Sequence, residues 1–155
     1  MCEILLGTLD KLLSCDSYLA IVTAERPTSG EIMTIAYWCV LAAIILPYFF
    51  TVLAKSGRGF NNSIPRQYLA SLKGWRQRAN WAQLNSFEAL PGFIAGVIIS
   101  QQLGVSQLTI DTLAIVFIIM RLLYGVCYIG DKASLRSLCW AIALGCVISL
   151  FIVSV

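Results

Sequence analysis

The sequence predicts an all-α integral membrane protein, a bundle of four transmembrane helices, and three observations carry that reading. Of 155 residues, 59% are hydrophobic and 12% charged, roughly half the charge of a typical water-facing domain. The apolar residues fall in long continuous runs, unlike the alternating segments of roughly ten residues that build a membrane barrel. The basic residues gather between those runs, where short loops hold Lys and Arg on the cytoplasmic side. There is no histidine, which removes imidazole catalysis and the commonest metal ligand. A net charge of +3 is too small to suggest a nucleic-acid partner.

Residues 1–31 stand apart. They carry Glu3, Asp10, Asp16, Glu25 and Glu31 against Lys11 and Arg26, and no uncharged run in them is long enough to span a bilayer. Glu3 and Asp10 also argue against a signal peptide. Ile4, Leu5, Leu9, Leu12 and Leu13 recur at helical spacing, so the segment is expected to be a weakly ordered or interfacial appendage.

The membrane domain is expected over residues 32–155. The first span, 32–54, runs 23 residues without a charge, enough at about 1.5 Å per residue to cross a hydrocarbon core of roughly 30 Å. The loop after it holds Lys55, Arg58, Arg66, Lys73, Arg76 and Arg78 and no acid. The second span, 79–104, is apolar apart from Asn80, Gln83, Asn85, Ser86 and Glu88, and Pro91 is expected to kink it. The third span, 112–130, is interrupted only by Arg121, and the fourth, 137–155, is charge-free; Lys132 and Arg136 lie between them. Both basic connections are therefore expected in the cytoplasm and both chain ends on the other side. Trp75, Trp81 and Trp140 fall near those boundaries, as interfacial aromatics do. Cys39, Cys127, Cys139 and Cys146 lie in or beside the spans without a CxxC pair and read as small buried hydrophobes, so no metal is expected.

Glu88 and Arg121 are the chemically informative residues, because a central intramembrane charge costs about 2.5 to 3.5 kcal/mol on insertion scales. Arg78, Trp81, Asn85 and Glu88 share one face of the second helix, and Arg121, Tyr124, Tyr128 and Asp131 repeat that spacing on the third. Glu88 lies nine residues inside the expected start of its span and Arg121 nine residues from the expected end of its own, each roughly 14 Å deep. The two are expected to be neighbours through charge-assisted hydrogen bonds, within one subunit or across a subunit boundary, in a polar cleft rimmed by Arg58, Arg76, Arg78 and Arg136. The plainer alternative is an ion pair that only fixes helix register. Gly92, Gly96 and Ser100 continue the Glu88 face as a small-residue stripe for close helix contact.

The string Arg78-Ala79-Asn80-Trp81-Ala82-Gln83-Leu84-Asn85-Ser86-Phe87-Glu88-Ala89-Leu90-Pro91 resembles RAxxAxxNxxExxP, the second-helix signature of the MAPEG family, the membrane-associated proteins in eicosanoid and glutathione metabolism. Arg121-Leu122-Leu123-Tyr124-Gly125-Val126-Cys127-Tyr128, followed by Leu135-Arg136-Ser137, resembles its third helix and the start of its fourth. The likeness is greatest to the short bacterial branch, which implies a bacterial inner membrane.

The resemblance implies a homotrimer that holds glutathione as cosubstrate in a cytoplasmic-side cleft between subunits. Asn85 and Glu88 would hold the peptide's polar groups, Glu88 its ammonium, and Arg121, Tyr124 and Tyr128 would complete the pocket. Arg58 resembles a family arginine that meets a glutathione carboxylate. Arg136 resembles the thiolate-stabilising arginine of the eicosanoid synthases, with Tyr128 second in that role and Ser137 a weaker third. Trp81 and Leu84 stand where mammalian synthases carry arginines, and Arg78, Arg76 or Lys73 are candidates to replace them. The spacing from Tyr128 to Arg136 differs by one residue from either mammalian subgroup.

Three functions follow as expectations. The first is a glutathione-dependent membrane transferase or peroxidase acting on lipophilic electrophiles. The second is a non-enzymatic lipid-binding or scaffold member of the same family. The third is a small proton-coupled exporter, which the basic first loop and the permanent cation of Arg121 argue against.

Overall fold

A computed structural model describes residues 33–57 and 59–155; the appendage expected over 1–31 and the side chain of Arg58 lie outside them. Among the described residues there are five helices: α1 (Ile35–Lys55), α2 (Pro65–Ser71), α3 (Gly74–Gln102), α4 (Gln107–Ile129) and α5 (Ala133–Ile152). All but α2 are long and apolar enough to cross a membrane, so the chain is an integral, multi-pass membrane protein.

Helices α3 and α4 pack together centrally; α1 packs against both, and so does α5. The half of the bundle remote from the α1–α3 loop is filled by Val97, Ile110, Ala114 and Leu150 around the stacked rings of Phe93 and Phe117, 3.9 Å apart and 8° from parallel. The half nearer that loop is filled by Leu46, Phe50, Ala82, Tyr124 and Cys139. The small-residue stripe acts as expected. A Cβ on Gly96 would lie 3.2 Å from Cβ of Leu150, and Ser100 Oγ donates to the Leu150 carbonyl at 3.0 Å, so α5 approaches α3 closely there.

The helices outrun the expected spans at their polar ends. α3 starts five residues before position 79, α4 five before 112 and α5 four before 137, because hydropathy marks the edge of the hydrocarbon and hydrogen bonding continues beyond it. α3, with 29 residues, is about 44 Å long and runs through Pro91 without interruption. α2 begins on Pro65 at its first turn, where a missing N–H costs nothing, and seven residues are too few for a periodic signal. The N-terminus of α1 is tied down by Thr34, whose Oγ accepts from Tyr37 N–H at 3.4 Å, and by Asp111 of α4, whose Oδ1 accepts from Ala36 N–H at 2.8 Å. The latter places a carboxylate at the positive end of a helix dipole.

Candidate functional site in the α3–α4–α5 cleft

Arg121 is 2% exposed, and its guanidinium must find acceptors inside the bundle or be stranded there. Its Nη1 and Nη2 both donate to Oδ1 of Asn85 at 3.0 Å, and Nη2 donates also to Ser86 Oγ at 3.1 Å. The Tyr124 ring lies under its other side, 4.5 Å from Cζ, a cation–π contact. Ser86 hands its own proton to the Ala82 carbonyl at 2.8 Å, which leaves its lone pairs facing the arginine.

A guanidinium can only donate, so Asn85 must present its oxygen to Arg121; its Nδ2 is then free to donate to Glu88 Oε2, at 3.0 Å. Within one chain, this relay stands in place of a direct Glu88–Arg121 hydrogen bond. Two neutral acceptors and a ring hold the cation, and the carboxylate is one bond further out. The reason is rotational. Three residues along a helix turn a side chain about 300°, so with Asn85 and Ser86 facing α4, Glu88 swings out of the interface and stands exposed on the cleft wall.

Asn85 borders three cavities. One of about 340 Å³ is lined by Trp81, Leu84, Asn85, Glu88, Tyr124 and Tyr128. One of about 290 Å³ is lined by Asn85, Tyr124, Tyr128, Arg136, Ser137 and Trp140. The third, about 330 Å³, has Asn85, Glu88 and Arg121 at one end and otherwise apolar walls including Gly92, Phe117, Leu144 and Val147. The rings of Tyr124 and Tyr128 meet edge to face at 5.5 Å. Trp81 leans on Tyr128 at 6.1 Å, and the Arg136 guanidinium stands 4.5 Å over that same ring. Among the described residues, the cleft thus offers one carboxylate, one accessible guanidinium, two phenols and an apolar extension.

Asn85, Glu88, Arg121, Tyr124 and Tyr128, from the two stripes, line these cavities together with Arg136 and Ser137, to which the family resemblance points. Of the expected cationic rim, Arg136 alone does among the described residues, which do not include Arg58. Arg76 donates to the Tyr68 hydroxyl at 3.3 Å, and Arg78 turns to the end of α4, where its Nε donates to the Ile129 carbonyl at 3.1 Å. Two polar residues were passed over in the sequence. Ser86 holds Arg121, and its place one residue after Asn85 was the available signal. Gln83 has an Oε1 that is buried without a hydrogen-bond partner among the described residues, a costly state that a donor from outside the single chain would relieve.

A family model described as MAPEG family matches residues 35–155. No curated protein and no solved structure matches the chain.

Proposed function

The chain belongs to the MAPEG family, whose model spans all four membrane helices, and from that premise we propose a glutathione-dependent membrane transferase or peroxidase acting on lipophilic electrophiles. The observation that carries the reading is the relay from Arg121 through Asn85 to Glu88. It holds a carboxylate open to a cavity that Tyr128 also lines, and Arg136, which lines the adjoining cavity, stands over the Tyr128 ring.

The donor set fits glutathione, a peptide with one ammonium, two carboxylates and a thiol. Glu88 is the counter-ion for the ammonium. Arg136 has its guanidinium 4.5 Å over the Tyr128 ring, and either group stabilises a thiolate, which is the nucleophile glutathione supplies. Arg136 comes first because its charge is permanent. Arg121 acts on ligand through Asn85, since its own guanidinium is already committed. The apolar cavity beyond Glu88 suits a lipophilic substrate arriving from the bilayer.

Two features favour a homotrimer with the cleft at a subunit boundary. Glu88 is exposed on a membrane-spanning helix, where acyl chains would otherwise meet it at a cost, and Gln83 Oε1 has no donor among the described residues. A second copy packed over α3 answers both. In this reading the loop between α1 and α3 is cytoplasmic and the protein sits in a bacterial inner membrane.

A scaffold or lipid-presenting role is the second reading, favoured by Trp81 and Leu84, both exposed on the wall of the 340 Å³ cavity. Family membership removes the motive for the exporter. Calorimetric titration of detergent-purified protein with glutathione, beside an analogue lacking the γ-glutamyl ammonium, tests the proposal. Tight binding of glutathione and weak binding of the analogue are expected; equal binding of both removes Glu88 from its role. Turnover of a model electrophile then separates enzyme from scaffold.

A further inference from the structure

Tyr128 and Arg136 belong to different helices, and what holds them together is a turn of three residues, 130–132, between α4 and α5. Asp131 in that turn has φ 61°, a left-handed conformation that few residues other than glycine adopt. Its N–H donates to the carbonyl of Tyr128 at 3.2 Å, and Lys132 N–H donates to that of Cys127 at 2.9 Å, closing the end of α4. Arg136 N–H donates back to the Lys132 carbonyl at 2.9 Å, so the first turn of α5 starts from the same three residues. The relative placement of the Tyr128 ring and the Arg136 guanidinium is therefore set by this turn.

Arg78 is the one side chain from another helix that bonds to it among the described residues. Its Nε takes the carbonyl of Ile129 at 3.1 Å, one of the terminal carbonyls that α4 itself leaves unpaired, and its cation sits at the negative end of the α4 dipole. Its Nη1 is 3.8 Å from Asp131 Oδ2. Because the Asp131 side chain is 77% exposed, that ion pair adds little stability. The consequence of this clamp is geometric. We propose that Arg78 is a positioning residue, tying the α4–α5 turn to α3 so that Tyr128 and Arg136 face Asn85 and Glu88 at a fixed separation. The inference rests on the glutathione reading only for its catalytic consequence; the clamp itself is a property of the free protein.

The experiment compares wild type with Arg78→Leu, Arg78→Met and Arg78→Lys. In the unliganded protein, amide hydrogen exchange across 127–136 is expected to rise about tenfold in Arg78→Leu and in Arg78→Met while the rest of α3 and α4 keeps its protection. With glutathione, affinity is expected to stay within about twofold in both variants while the ultraviolet thiolate signal of the bound peptide and kcat for a model electrophile fall about tenfold, since small displacements of a reacting group are costly. Arg78→Lys, which can still reach a carbonyl, is expected to recover part of both. Unchanged exchange in Arg78→Leu and Arg78→Met overturns the clamp whether or not glutathione binds. A loss of affinity with a full thiolate signal from what remains bound overturns it too, and makes Arg78 a ligand contact. If wild type shows no binding while exchange responds as stated, the clamp stands and the glutathione reading falls. Should Arg78→Leu not assemble, Arg78→Met, which keeps the apolar stem of the side chain, carries the same outcomes.

Discussion

Asn85 is the residue on which the intramembrane charges depend, because its amide serves a buried cation with one end and an exposed carboxylate with the other. Asn85→Leu strands the Arg121 guanidinium and is expected to lower stability by about 2 to 4 kcal/mol. Glu88→Gln removes a charge from the cavity wall and keeps an acceptor for Asn85, so its expected cost is below about 1 kcal/mol. Thermal unfolding in detergent distinguishes them; equal losses in both would mean that Glu88 and Arg121 pair directly after all. Arg136 and Tyr128 are compared through the ligand. Titrating the ultraviolet absorbance of bound glutathione should show its thiol midpoint displaced upward in Arg136→Leu and less so in Tyr128→Phe. A midpoint that stays low in Arg136→Leu while the peptide still binds passes the role to Tyr128.

The elements are held by close approaches that single atoms control. Phe50 of α1 is 1% exposed and its ring occupies the space in which a Cβ on Gly125 of α4 would sit. Gly125→Ala therefore has to displace the ring or part the helices, at an expected cost of about 1 to 3 kcal/mol. Phe50→Leu in the same chain should restore part of it. A Tm unmoved by Gly125→Ala would show that α1 and α4 are not tightly engaged at Phe50. The buried face of α1 carries small residues at helical spacing, Ala36, Ala43, Pro47 and Ala54, while Trp38, Tyr48 and Phe49 are exposed. Phe50 is the aromatic ring on that face, and the glycine opposite is what admits it.

For the whole molecule, sidedness is the open consequence of the charge pattern. A cysteine placed at Asn62, exposed in the turn before α2, should react with a membrane-impermeant maleimide only after cells are opened, given the cluster of Lys and Arg around it; labelling of intact cells would reverse the topology. The number of spans, their order and the two polar stripes were legible in the sequence, because burial in a bilayer demands long apolar runs and makes each charge inside them conspicuous. Family membership was legible from the spacing of Arg78, Asn85, Glu88, Arg121, Tyr124 and Tyr128 for the same reason. What only the tertiary structure decided is which polar group meets which. Asn85 and Ser86 face α4 and Glu88 does not, because helices rotate about their axes to satisfy all their neighbours at once. Arg78 turns to the end of α4 because a long flexible side chain goes where an unpaired carbonyl waits, and the place of that carbonyl is set by another helix.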